Sequence, residues 1–252
     1  MPSQAHNWLR NVQHQAKYYA RCTIKRYPAL YVPLSRWRHG SRSSGGNQLM
    51  EPEAIGPGTE IVIEGPHRCG NTFAVVAFRL AQDRHVQVAH HLHAAAQVIV
   101  AVKRDIPTIV LLREPEETVV SRAASFPPIT VKQALNEYLL FYSQVFPYRS
   151  GFVTATFETV TRDLDTAIRA INEKAGTQFK LFDQSDENVD RCFKIIEERY
   201  RGQAKPERAV ARPSEDRRDK KETHRSQFHA AELATMRGRA LRLYESMKAG
   251  AC

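Results

Sequence analysis

The feature that most constrains this chain is a regular alternation, from residue 59 onward, of short apolar runs with stretches of helical periodicity. Glu60–Glu64 (EIVIE), Val86–His90 (VQVAH), Thr108–Leu112 (TIVLL) and Phe152–Phe157 (FVTATF) read as strands. Helical patterns cover Phe73–Asp83, His93–Lys103, Pro115 to about Ser125, Val131–Tyr148, Leu164–Lys174, Val189–Tyr200 and Ala230–Met247. Short apolar strands alternating with helices predict a parallel sheet covered on both faces. The expected fold class is therefore α/β: three layers, α/β/α, around a mostly parallel central sheet. The carboxyl ends of such strands open onto one crevice, where ligands bind. The unusual residues of the chain sit at those ends: Gly65–Thr72 after the first strand, His90, His91 and His93 after the second, Arg113 at the end of the third and Glu158 after the fourth.

The chain has 252 residues, 42% of them hydrophobic and 25% charged, which suits one large domain with a real core. No apolar run is long enough to span a bilayer. Its four cysteines lie far apart with no CxxC pair, a pattern that suits a reducing compartment. The net charge of +10 is unevenly placed: residues 1–50 hold eight Lys/Arg and no acid, whereas the remainder holds 29 basic and 27 acidic groups. Residues 1–50 are accordingly expected to be a basic arm and linker, and residues 51–252 a single domain. A nearly neutral body lacks the basic face of a nucleic-acid-binding module, so no nucleic acid is expected as partner. Within the arm, Trp8, Leu9, Val12, Ala16, Tyr19 and Ala20 fall on one helical stripe, Pro28 and Pro33 are expected to break the helix, and Ser41–Gly46 reads as a linker. The stripe is expected to pack on the domain. Peripheral contact with an anionic membrane is the other reading of this arm. With no secretory segment in view, the expected location is cytoplasmic, possible membrane contact being confined to the arm.

The segment Gly65-Pro-His-Arg-Cys-Gly-Asn-Thr72 fits G-x4-G-x-T between a strand and a helix. In that setting backbone N–H groups can close on an anion and the helix N-terminus adds a positive field. An ATP-dependent phosphotransferase would carry Lys where this chain has Asn71, and an acid for magnesium where it has Arg113. A cation at that strand end repels a metal and attracts a second phosphate instead.

The loop Pro66–Phe73 (PHRCGNTF), the segment Arg113–Phe126 (REPEETVVSRAASF) and the intervening His90-His91-Leu92 resemble the sulfotransferases that use 3′-phosphoadenylyl sulfate, PAPS. The resemblance is to bacterial-type members with a P-loop NTPase-like fold and covers residues 60–126 well. It implies that Arg68, Cys69, Gly70, Asn71 and Thr72 cradle the 5′-phosphosulfate, with Cys69 standing where the family usually has Ser. It further implies that Arg113 and Ser121 hold the 3′-phosphate. Phe157-Glu158 resembles the family's strand-end aromatic–acid pair, and Arg212-Pro-Ser214 with Arg217 resembles a late cofactor-contacting segment.

The resemblance also aligns His91 with the family's base, His90 and His93 being the fallbacks. His91 and Arg68 are then the expected catalytic residues: the imidazole takes a proton from an acceptor hydroxyl, and the guanidinium stabilises the departing 5′-phosphate. The implied product is adenosine 3′,5′-bisphosphate, and no metal is implied. The acceptor is a carbohydrate, lipid or small alcohol that the residues do not distinguish. Two other readings stand beside this one: a non-catalytic nucleotide-binding protein of the same fold, and an atypical P-loop phosphotransferase.

Overall fold

A computed structural model describes residues 4–40, 53–126, 128–201 and 216–252. Its centre is a four-stranded sheet of β1 (Ile61–Glu64), β2 (Val88–His90), β3 (Thr108–Leu112) and β4 (Val153–Thr156), in the order β2-β1-β3-β4. Every neighbouring pair is parallel: Ile63 aligns with His90 on one side and Ile109 on the other, and Leu112 aligns with Thr156. After β2 the chain returns to the opposite side of β1, so the order reverses between β1 and β3. That is where an open α/β sheet forms its ligand crevice.

The pleat sorts the strand residues into two cores. Ile61, Ile63, Ile109, Leu111, Val153 and Ala155 face α3 (Asn71–Ala81), α8 (Leu164–Ala175) and α9 (Asp186–Arg201). Val110 and Leu112 face α4 (Ala95–Val102), α5 (Pro115–Ser125), α6 (Val131–Val145) and α11 (Ala234–Lys248). The period-two alternation of a strand is thus used on both sides, which is why the strands read as unbroken apolar runs. Val62 lies on the α4 side, and Glu64, two residues on, shares its face.

The strand and long-helix expectations agree with the structure to within a few residues, β3 and α5 at both ends. Two elements escaped the periodicity: the short α7 (Phe157–Arg162), directly after β4, and the 14-residue α10 (Asp216–His229), whose sequence is nearly all polar. The expected long helix over 131–148 stops at Val145, and a 3₁₀ helix covers Phe146–Gly151, with Pro147 near its start.

The arm departs further from expectation. It forms α1 (Gln4–Ile24) and α2 (Pro28–Gly40), joined by a tight turn. Pro28 opens α2 rather than ending a helix, because the first turn needs no N–H donor there. Pro33 sits inside α2 at the loss of one backbone bond. The arm packs on the body, though through another face than the stripe indicated. Ala16, Tyr19 and Ala20 are exposed, while Tyr18, one residue round the helix, is buried; the side chains of Trp8, Leu9 and Val12 lie outside the described residues. The Tyr18 hydroxyl donates to the Gln133 carbonyl at 2.9 Å and accepts from Asn136 at 3.0 Å, and Gln15 accepts from Gln133 at 2.8 Å. What α1 meets is the start of α6, where Gln133 and Asn136 offer the hydrogen-bond partners that Tyr18 and Gln15 take up.

Candidate anion and acceptor site

The loop between β1 and α3 is shaped by backbone geometry. Gly65 lies so close to β3 that a Cβ would stand 2.9 Å from both the Leu111 Cβ and the Leu111 carbonyl oxygen. Gly70 has φ of 88° and is the N-cap of α3, with no side chain capping the helix. Its first-turn N–H groups therefore keep their capacity for an anion. Arg68 adopts φ of 73°, a conformation uncommon for a side-chain-bearing residue outside constrained sites. Asn71 holds the loop closed: its amide donates to the Pro66 carbonyl at 2.8 Å. It does not stand in for a phosphate-reaching lysine.

Arg68, Ser121 and Arg113 come together at the β1/β3 reversal. Arg68 Nε donates to Ser121 Oγ at 3.1 Å, and Arg113 Nη1 donates to the Arg68 carbonyl at 2.9 Å. Arg113 stacks over the Phe157 ring with its guanidinium carbon 4.1 Å from the centroid, and it also pairs with Glu117 at 3.5 Å. Two tyrosines of α6 fix the end of β3: Tyr138 donates to the Arg113 carbonyl at 3.0 Å, and Tyr142 to the Leu111 carbonyl at 2.7 Å. Arg68 lies between Ser121 and Arg113, so the three side chains form one cationic cluster.

Cys69 is fully buried, with its sulfur 3.6 Å from the Tyr142 hydroxyl and 3.9 Å from that of Thr118. Burial pushes its thiol up, against the lowering that a helix N-terminus would give, so it is a filler of the loop and not a nucleophile. Arg212 lies outside the described residues, and so does the side chain of Arg217. The neighbouring α10 does pack on α5. There Lys221 and Arg225 pair with Glu117, and Arg225 and His229 pair with Glu116. Glu158 is exposed in the first turn of α7, and it is its neighbour Phe157 that meets Arg113.

The histidines after β2 are held in an unusual turn, with His91 at φ of 60° and His93 at 49°. A buried carboxylate organises it. Glu64 accepts from the N–H groups of Gly65, Leu92 and His93 and from the Gln97 amide, all between 3.0 and 3.1 Å. Burial outweighs those bonds and raises this carboxyl to about 7. His91 uses both ring nitrogens: Nε2 lies 3.2 Å from Thr72 Oγ1, and Nδ1 lies 2.6 Å from Nδ1 of His90. His93 Nδ1 lies 2.8 Å from the Gly65 carbonyl, an acceptor only, which assigns the proton to Nδ1 and makes Nε2 the basic nitrogen. Its ring stacks on His67 at 3.8 Å.

A cavity of about 150 Å³ opens beside this turn, between α1 and the body. His67 and His93 line it, as do Lys17, Arg21 and Lys25 of the arm and Arg122 of α5; Tyr138 and Phe141 of α6 form an apolar wall. Lys25 donates to the His93 carbonyl at 2.7 Å, tying the arm to the histidine turn. Burial lowers His67 and His93 well below the usual histidine range, so both rings are neutral near pH 7. Glu64, Lys25 and the α6 tyrosines belong to no motif that the sequence marks, and His67 fills an unspecified position of the glycine loop. Only Glu64 left a signal, as a carboxylate ending an otherwise apolar strand and directly preceding the glycine loop.

No protein-family model matches this chain, and no curated protein matches it. Among solved structures it is similar to the crystal structure of mouse sulfotransferase SULT7A1 complexed with PAP, at 11% sequence identity over 77% of this chain and 90% of that one, with a TM-score of 0.41. A likeness of that degree carries no chemistry over, so the site has to be read from its own residues.

Proposed function

We propose that the protein transfers a sulfuryl group from PAPS to a small hydroxyl-bearing acceptor, leaving adenosine 3′,5′-bisphosphate. The observation that carries this reading is the Arg113–Arg68–Ser121 cluster at the sheet's reversal point, beside an uncapped helix N-terminus. A magnesium-dependent phosphotransferase needs a carboxylate at the end of β3. Arg113 there is suited instead to a second phosphate, through charge-assisted and bidentate contacts. The N–H groups of the loop and Thr72 would bind the 5′-phosphosulfate, and Arg113 with Ser121 the 3′-phosphate. Arg68 contacts both Ser121 and Arg113 and so ties the two ends together.

The donor supplies the sulfuryl group: the acceptor oxygen bonds to sulfur as the bond from sulfur to the 5′-phosphate oxygen breaks. The chain contributes position, charge and a proton acceptor. Of the three histidines, His93 lines the cavity and its Nε2 carries no proton; burial holds the ring well below the usual range, so in this reading Nε2 takes the acceptor proton only as the acceptor oxygen bonds to sulfur. His91, hydrogen-bonded to Thr72, then orients the phosphate-facing hydroxyl. Lys17, Arg21, Lys25 and Arg122 against the single acid Glu137 favour an acceptor that carries its own anionic group. A cavity near 150 Å³ is close to the size that holds one six-membered ring. A phenol or ring alcohol with a carboxylate fits that description.

A side-by-side calorimetric titration with adenosine 3′,5′-bisphosphate, AMP and ATP–Mg tests the donor site. The bisphosphate is expected to bind most tightly, and Arg113→Ala to weaken it by about 10- to 100-fold, the loss of one or two charged hydrogen bonds. Preference for ATP–Mg would overturn the reading. A second reading, nucleotide binding without transfer, is favoured by Cys69, whose sulfur turns into the core and offers the loop no hydroxyl. Bisphosphate binding with no sulfuryl transfer to any phenol or alcohol would select it.

A further inference from the structure

Helix α2 is apolar on two sides, and among the described residues only one of them has a partner. Val32 and Ser35 are buried and, with Tyr31, lie on the side that packs against the α4 region of the body. Tyr27, at the N-cap of α2, and Leu30, Leu34 and Trp37 stand roughly a third of a turn away, at the spacing of a single helical stripe. Their exposures are 56%, 66%, 45% and 79%. Among the described residues, nine large hydrophobic side chains are exposed, and six of the nine fall between Tyr19 and Trp37. The apolar surface that this molecule shows to solvent is therefore concentrated on the arm, where a scatter of single residues would need no explanation.

Charge indicates what covers it. Residues 1–50 contain eight Lys/Arg and no Asp or Glu, while the rest of the chain is almost balanced. Arg26 and Arg38 are exposed at positions flanking the stripe. A tryptophan, a tyrosine and two leucines flanked by arginines, with no acid on the whole segment, is the composition that settles at the boundary between headgroups and acyl chains. A second copy of the chain would bring like charge against like charge across the same surface. Among the described residues no helix is long and apolar enough to cross a membrane, so the contact is one of lying on the surface.

We propose that α2 docks this protein onto the surface of a bilayer containing anionic lipid, with Leu30, Leu34 and Trp37 inserted at the acyl boundary and Arg26 and Arg38 among the headgroups. The proposal is independent of the chemistry in the crevice. The chain's two tryptophans are Trp8 and Trp37, so Trp8→Phe leaves Trp37 as the sole reporter. The full chain, with and without that substitution, would be mixed with phosphatidylcholine vesicles and with phosphatidylcholine–phosphatidylserine vesicles, and co-sedimentation and Trp37 fluorescence recorded at low and high salt. Binding to the serine-lipid vesicles, a blue shift of Trp37, and weakening by salt are expected. Leu30→Ser with Leu34→Ser should reduce partitioning by about tenfold or more, since each side chain removes apolar area from the boundary. Both positions are exposed, so the variant should keep its thermal unfolding midpoint. No partitioning, partitioning unchanged by the double substitution, or concentration-dependent dimerisation that the substitution abolishes would each overturn the proposal, the last by assigning the stripe to a second copy.

Discussion

The loop from Gly65 to Gly70 and the arm from residue 13 to residue 40 meet at the histidine turn, yet they are built by opposite means. The loop is dictated by its own backbone: Gly65 because β3 leaves no room for a Cβ, and Gly70 because φ is positive. The arm is placed by what it touches, through the Tyr18 hydroxyl on α6, Lys25 on the His93 carbonyl and Val32 against the α4 side of the sheet. The proposed anion site, made by local geometry, is legible in a short motif. The proposed acceptor site, roofed by a distant helix, is not. The comparison also separates the two halves of the proposed reaction, the donor end resting on the loop and the acceptor end on the arm.

The largest effect is expected where the two regions join. His93→Gln should lower turnover by about 10²- to 10⁴-fold, the range for losing a general base, while leaving bisphosphate affinity intact. His91→Gln should act through Thr72, raising the bisphosphate Kd along with a smaller loss of rate. Steady-state kinetics paired with calorimetry on both variants decides between them. The reverse pattern would return the proton to His91 and detach the cavity from the reaction.

A middle-sized effect is expected at Glu64, which belongs to the body alone. Glu64→Gln replaces an acceptor oxygen by an amide facing two donors, and should cost about 1–3 kcal/mol in urea unfolding. The pH dependence has a definite sign. The folded carboxyl titrates at about 7, against an ordinary value of 4.5, so the folded state holds the proton more tightly and this group loses stabilising effect as pH rises between those values. The penalty of Glu64→Gln should therefore be larger below pH 4.5 than above pH 7. A penalty that grows with pH would mean that the hydrogen bonds, not burial, govern this carboxylate.

The smallest effect sharpens the comparison most. Tyr18→Phe removes one donated and one accepted hydrogen bond between arm and body, worth about 1 kcal/mol. It should hasten amide exchange in α1 and raise the acceptor KM, with bisphosphate Kd unchanged. An equal change in both constants would show that loop and arm are one unit.

Much of the frame was legible before any coordinates. The four strands, the crevice at their ends and the loop follow from apolar runs, glycine positions and one strand-end arginine, because period and backbone freedom are local properties of the chain. Arg68, Arg113 and Ser121 could be named only through the resemblance of their motifs to a known family, and the structure brings the three side chains together. The arm's packing face differs from the stripe because hydrophobicity ranks Tyr19 with Tyr18, whereas only Tyr18 lies on the side of α1 turned to α6, where its hydroxyl meets Gln133 and Asn136. Helix α10 leaves no apolar period, because ion pairs to Glu116 and Glu117, more than one hundred positions away for Arg225, hold it on α5.

By itself, then, the sequence determined the alternation of strand and helix, the anion-ready turn and the cationic end of β3. Tertiary structure alone decided which histidine faces a cavity, that Glu64 holds the turn presenting it, and that Lys17, Arg21 and Lys25 roof the same space. The physical reason is range. A glycine's φ or a strand's pleat is set within a few residues, whereas a cavity exists only where separate elements fail to fill the space between them.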